Sequence, residues 1–203
     1  MDIILVILLS YISGSIPFGL ILTKIFGKVD IRKIGSGNIG ATNVLRTGNR
    51  YLALATLLFD ILKGYFPLII VSQYYPELIH LSALLAFLGH LFPIWLKFKG
   101  GKGVATYLGI LFALSIQLSF LFIFTWIVVS LIFRYSSLSS MFGSFTVFVV
   151  TLIKDTALKS INANINIDDD IKFTLFTFFI LIIFTHRKNI SNLKNKTEKK
   201  IKI

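Results

Sequence analysis

Residues 104–133 read VATYLGILFALSIQLSFLFIFTWIVVSLIF, an unbroken run without a single Asp, Glu, Lys or Arg. A helix rises about 1.5 Å per residue and the hydrocarbon of a bilayer is roughly 30 Å thick, so the run is too long for one crossing and short for two. Outward from it, Leu78–Leu96 also lacks those four residue types, and Met1–Phe26 carries only Asp2 and Lys24. Hydrophobic residues make up 55% of the 203-residue chain, and they come in blocks rather than in the face-forming periodicity of a soluble domain. The pattern predicts an all-α integral membrane protein, folded as a single polytopic domain over residues 1–203.

The formal charge of +12 is clustered. Lys24, Lys28, Arg32, Lys33, Arg46 and Arg50 form one group, Lys97, Lys99 and Lys102 a second, and the tail from Arg187 to Lys202 a third. Lys and Arg mark cytoplasmic loops, which places segments 24–50, 97–103 and 186–203 in the cytoplasm and the N-terminus outside. The expected spans are 2–23, 51–71, 78–96, 104–119, 120–134, 138–154 and 171–186. Parity decides the doubtful run: one crossing would send the Lys-rich tail outside. Two short helices turning near Ser115–Ser119 keep Arg134 and the tail inside and put Asp168, Asp169 and Asp170 outside. About seven transmembrane helices follow, N-out and C-in. Asp2 in front and Lys24 and Lys28 behind argue against a cleaved signal. Nucleic-acid binding fits poorly, because no basic domain stands clear of the membrane. Without cysteine there is neither a disulfide nor a thiolate metal site.

The first cytoplasmic loop carries Gly35-Ser36-Gly37-Asn38-Ile39-Gly40-Ala41-Thr42-Asn43, followed by Arg46. Its G-x-G-x-x-G spacing is that of a dinucleotide site, but such a site needs a preceding strand, and here an apolar helix precedes it. A plain linker needs no Ser, Asn, Thr and Asn set among glycines. Glycines let backbone amides approach a ligand, short polar side chains add donors, and Arg46 adds a fork suited to phosphate. An anion site is the better reading. The second loop, Lys97-Phe98-Lys99-Gly100-Gly101-Lys102-Gly103-Val104-Ala105-Thr106, lacks Walker A spacing but places glycines and Lys102 directly before the helix expected from residue 104, another candidate anion site. The bland alternative is a basic juxtamembrane turn.

His186 and Asn189 end the last apolar segment and share a helix face by their i, i+3 spacing. A lone His at a membrane boundary is more often a structural hydrogen-bonder, and a catalytic role is the sharper alternative. His90, in Gly89-His90, reads as structural, and His80 is given no role. Asp60 and Lys63 lie deep in an apolar span, where charges are expensive and commonly paired; a structural ion pair is expected, with Asp60 as a catalytic carboxylate the alternative. Ser13, Gly14, Ser15 and Gly19 form a small-residue packing face, although Ser15 also reads as a substrate contact.

Taken together, Ser13-Gly14-Ser15-Ile16-Pro17-Phe18-Gly19, Gly35 through Val44, Asp60-Ile61-Leu62-Lys63-Gly64, Gly89-His90, Phe98 through Thr106, and His186-Arg187-Lys188-Asn189-Ile190 with Thr197-Glu198 resemble the bacterial acyl-phosphate-dependent glycerol 3-phosphate acyltransferase family. Three motifs in order are far more specific than any one. Similarity is weak from about Leu111 to Lys172. The resemblance implies transfer of a fatty acyl group from acyl phosphate to the sn-1 hydroxyl of glycerol 3-phosphate, giving lysophosphatidic acid and phosphate at a bacterial cell membrane. It implies the two phosphorylated substrates and membrane lipid as partners, with neither cofactor nor metal. Ser36 and Arg46 match the important serine and arginine of the first motif. Gly100, Gly101, Lys102 and Gly103 match the glycerol 3-phosphate motif, and His186 and Asn189 match the pair needed for activity. Glu198 matches a structural glutamate, while Lys196 stands where many members have glycine.

The resulting candidate set is Ser36, Lys102, His186 and Asn189 for catalysis. Gly37, Asn38, Gly40, Thr42, Asn43, Arg46, Gly100, Gly101, Gly103 and Thr106 bind phosphate, and Asp60, Lys63 and Glu198 support the fold. The rival is a transporter or channel for phosphate-bearing anions, which would need a polar path at mid-bilayer rather than motifs gathered on one face.

Overall fold

The computed structural model describes residues 1–161 and 167–201, so Lys202 and Ile203 of the expected tail lie outside the described residues. Every expected apolar segment is helical, and no strand occurs among the described residues. The elements are α1 (Asp2–Ser15), α2 (Phe18–Ile25), α3 (Ala41–Leu45), α4 (Arg50–Tyr74), α5 (Ile79–Leu91), α6 (Val104–Leu114), α7 (Ile116–Phe133), α8 (Ser136–Ile161), α9 (Asp169–Thr185) and α10 (Arg187–Lys194). They fall into two compact units, Met1–Ile116 and Gln117–Ile203.

Helix ends follow local chemistry. The first apolar segment is bent by 43° between α1 and α2. Pro17 stands at the break, where it lacks an N–H and disfavours helical geometry at Ile16. The run 104–133 divides at Ser115, whose backbone is extended. At 11 residues α6 is about 16 Å long, roughly half the hydrocarbon thickness. α8 runs to Ile161, beyond the apolar stretch, and the 2.9 Å i, i+4 pair of Asp155 and Lys159 supports that extension. Among the described residues, four helices or helical spans are long and apolar enough to cross a membrane, or five if the bent α1–α2 pair counts as one.

In the first unit α4 packs against α1, α2, α3, α5 and α6, and α1 packs on α5. Close crossings use small residues: a Cβ on Gly64 or Gly109 would land on the facing backbone between α4 and α6, and one on Gly14 or Gly89 would do so between α1 and α5. Leu68, Phe87, Tyr107, Ile110 and Leu111 are buried there. In the second unit α8 packs on α9, with Phe122, Met141, Val147, Leu175 and Phe178 buried. The outer faces are apolar as well: Ile4, Leu8 and Leu58 in the first unit and Phe120, Phe124, Ile132 and Phe173 in the second are exposed. Such surface is tolerated where lipid covers it.

Candidate active site

The first loop is organised by Asn43. This side chain is buried, and its Oδ1 accepts the Ser36 amide at 2.9 Å. Its Nδ2 donates to the carbonyls of Ile34, Asn38 and Ile31 at 2.9, 2.8 and 3.2 Å. One amide thus ties together a loop that winds through positive φ at Gly35 (+59°) and Gly37 (+70°), a region where a Cβ is unfavourable. Ser36 stands exposed between those two glycines. Asn38 Oδ1 accepts the Gly40 amide at 2.9 Å, and Gly40 caps α3, on which Thr42 is exposed. Arg46 is exposed at the end of α3, its guanidinium 3.5 Å from Asn43 Oδ1. Leu20, Ile31, Ile39 and Val44 form the apolar floor of the loop, and Leu96, just ahead of the second loop, packs against it. Leu96 thus ties the approach to the second loop to the floor of the first.

Arg32 is largely committed to a neighbour. Its guanidinium donates to both Asp30 oxygens, at 2.9 and 2.6 Å. That contact holds the Asp30 carboxyl well below the usual carboxylate range and raises the guanidinium. Lys33 and Arg46 carry the other positive charges between Asp30 and the end of the first loop.

The second loop folds back over the end of α5. Gly100 donates its amide to Leu91 O at 3.0 Å and Gly101 to His90 O at 3.1 Å. Gly103 caps α6 with φ +82°. Lys102 is half-buried between them. Thr106 points inward, its Oγ1 3.1 Å from His90 Nδ1. Deeper still, Lys63 Nζ sits 2.7 Å from Asp60 Oδ1 and donates to Ile16 O at 2.7 Å. That carbonyl lies at the Pro17 break, where it also accepts the Phe18 amide at 3.1 Å, so the buried lysine is held at the kink. Trp95 Nε1 donates to Ser15 Oγ at 2.9 Å, which spends the Ser15 hydroxyl on packing the first unit.

In the second unit, His186 joins α9 to α10 with a non-helical backbone, and its side chain is 1% exposed. Its Nδ1 lies 2.8 Å from Ile182 O. A carbonyl only accepts, so Nδ1 carries the proton and Nε2 is the basic nitrogen of the neutral ring. Asn189 Nδ2 donates to Glu198 Oε1 at 2.6 Å, an oxygen that Ser137 Oγ also reaches at 2.9 Å, while Asn192 Nδ2 meets Oε2 at 3.2 Å. Glu198 thereby fastens the tail to α8 and α10.

Within the first unit, then, Ser36 and Arg46 are exposed on one glycine loop and Lys102 is half-buried on the other, whereas Asn43 and Thr106 turn inward. Sequence reasoning gave His90 no part in the second loop. The adjacency of Gly89 and His90 was visible, but the contact with Gly101 exists only in space.

A family model described as glycerol-3-phosphate acyltransferase matches residues 4–196. The chain belongs to that family. A glycerol-3-phosphate acyltransferase of Pelagibacter ubique is 55% identical over 203 residues, covering 100% of both chains. One from Mesorhizobium japonicum is 48% identical over 198 residues, 98% of this chain and 95% of the relative. Among solved structures, the glycerol 3-phosphate form of PlsY, an integral membrane glycerol 3-phosphate acyltransferase, superposes with a TM-score of 0.88 at 32% identity, covering 100% of this chain and 96% of that one. The lysophosphatidic acid form gives 0.86 at the same identity, covering 98% and 95%. The glycerol-3-phosphate acyltransferase fold seen here is therefore that of a membrane-embedded, multi-pass protein.

Proposed function

We propose that this acyltransferase moves a fatty acyl group from acyl phosphate to the sn-1 hydroxyl of glycerol 3-phosphate, at the cytoplasmic face of a bacterial inner membrane. The observation that supports the reading is the pair of glycine loops in the first unit, one presenting Ser36 and Arg46 and the other Lys102, with Leu96 packing the approach to the second loop against the apolar floor of the first. Two phosphorylated substrates need two such anion sites, and the acyl chain of the donor needs lipid beside them. The clustering of Lys and Arg in 24–50, 97–103 and 186–203 favours an N-out, C-in chain of about seven membrane helices, α6 being of half length, folded as one polytopic domain.

Acyl phosphate is an activated mixed anhydride, so no covalent enzyme intermediate is required. The glycerol hydroxyl oxygen attacks the acyl carbonyl carbon, the new ester C–O bond forms, and the C–O bond to phosphate breaks with its electron pair. Because the Gly100 and Gly101 amides are committed to α5, an anion here meets the first-turn amides of α6 and the Lys102 ammonium. Ser36 and Arg46 serve the other phosphate. A well-placed donor to the developing oxyanion is worth about 2.7–4 kcal/mol. The hydroxyl proton passes to His186 Nε2 or to a substrate phosphate oxygen. Asn189 acts as a donor oriented by Glu198.

The test is purified protein supplied with acyl phosphate and labelled glycerol 3-phosphate, without coenzyme A or acyl carrier protein. Lysophosphatidic acid is expected, and Lys102→Ala and Ser36→Ala each nearly abolish it. Labelled ester entering vesicles with no acylated product would overturn the assignment in favour of a transporter.

A further inference from the structure

His90 lies in the last turn of α5, 3% exposed, beneath the second glycine loop. Its backbone carbonyl accepts the Gly101 amide at 3.1 Å while the next carbonyl, that of Leu91, accepts the Gly100 amide at 3.0 Å. Its ring reaches the same segment twice more. Nδ1 lies 3.1 Å from Thr106 Oγ1, and Nε2 occupies the space that a Cβ on Gly101 would need. The imidazole therefore braces the chain one position before Lys102 and four positions after it.

Simple space-filling does not account for these contacts. The nearest carboxylate oxygen, Asp60 Oδ1, is 4.0 Å from Nδ1, beyond hydrogen-bond distance, and is engaged by Lys63. The polar side of the ring is spent on Thr106, in the first turn of α6, the helix whose N-terminus follows Lys102. A lysine side chain has several rotatable bonds whose freedom is lost when it is held on a ligand. Fixing the backbone on both sides of it removes part of the freedom that binding would otherwise have to quench.

We propose that His90 is a positioning residue for the phosphate of glycerol 3-phosphate: by bracing Gly101 and Thr106 it fixes the loop that presents Lys102. The inference rests on the reading of Lys102 as a phosphate ligand. It assigns His90 to substrate affinity and not to proton transfer.

The full-length protein in detergent micelles is assayed with glycerol 3-phosphate varied at saturating acyl phosphate. His90→Ala raises KM for glycerol 3-phosphate by about tenfold, the worth of one misplaced charge-assisted hydrogen bond, with a smaller change in kcat. Gly101→Ala, whose methyl group displaces the ring, reproduces that effect. His90→Asn, which keeps a polar atom near Nδ1, restores affinity that His90→Leu does not, and both serve where His90→Ala fails to fold. Amide hydrogen exchange at 100–105 quickens in His90→Ala and Gly101→Ala. Unchanged KM with unchanged exchange overturns the proposal, as does equal behaviour of the Asn and Leu variants. Quickened exchange beside a Lys102→Ala protein of normal KM upholds the brace and overturns instead the role given to Lys102.

Discussion

Asn189 and Glu198 are joined by a 2.6 Å hydrogen bond in which the amide nitrogen donates to the carboxylate. Asn189 is therefore oriented by its partner, and the catalytic role proposed for one residue depends on the structural role of the other. Glu198→Gln keeps one acceptor oxygen but turns an NH2 donor towards the amide nitrogen of Asn189 or of Asn192. We expect about 1–3 kcal/mol of destabilisation, seen as a lower thermal midpoint in micelles, together with loss of acyl transfer. In a double-mutant cycle, Asn189→Ala and Glu198→Ala couple by about 0.5–3 kcal/mol. Additive losses would separate the two residues.

The buried pair of Lys63 and Asp60 predicts an asymmetry. Asp60→Leu leaves an ammonium in apolar surroundings with Ile16 O as its remaining partner in that contact, and costs about 3–5 kcal/mol. Combining it with Lys63→Met removes the stranded charge, so the double variant is more stable than the single. Thermal unfolding of both proteins measures the difference, and the reverse order would show that the pair is not what matters there.

Lys196 follows the C-cap of α10 with φ +58°. The Lys196 amide bonds Leu193 O at 3.2 Å and the Thr197 amide bonds Asn192 O at 2.8 Å, the doubled closure that favours glycine at this position. Lys196→Gly is expected to stabilise the protein by about 1 kcal/mol by removing left-handed strain. The melting temperature should rise with activity retained. A fall would mean that the lysine side chain has contacts worth more than the strain.

The contact with Arg32 lowers the Asp30 carboxyl pKa, so its contribution to the fold is present above the unfolded value of about 3.9 and is lost only as pH falls through the lower folded value. Between about pH 5 and 8 Asp30 therefore adds no inflection to stability or rate. Carboxyl NMR titration reads this directly: a midpoint at the ordinary aspartate value would show the tie absent in solution.

Much of this was legible in the chain. The apolar blocks fixed where helices stand, because the cost of dehydrating backbone leaves a long apolar segment little choice but helix. Pro17 stood in plain view inside an expected span, yet the bend it makes was not anticipated. The expected division near Ser115–Ser119 falls at Ser115 itself. The ends of α8 were not legible from hydropathy, since its last turns are held by Asp155 and Lys159 rather than by apolar burial.

The candidate site was legible in its residue types and less so in their employment. Ser36, Arg46 and Asn43 look alike as loop polar residues, yet Asn43 is buried and holds the loop's backbone, while Ser36 and Arg46 remain at the surface. Thr106 and Lys102 are four apart, and one faces inward to His90.

Composition and order alone determined that this chain enters a membrane as helices, which of its loops are basic, and that glycines and small polar residues collect in those loops. These are properties of local transfer free energy and charge, and they add up along the chain without reference to distant residues. Only the tertiary structure decided which polar atoms are consumed by the protein itself and which face outward. Hydrogen bonds reach about 3 Å, and partners such as His90 and Gly101 or Asn189 and Glu198 come within that reach only once the helices have packed.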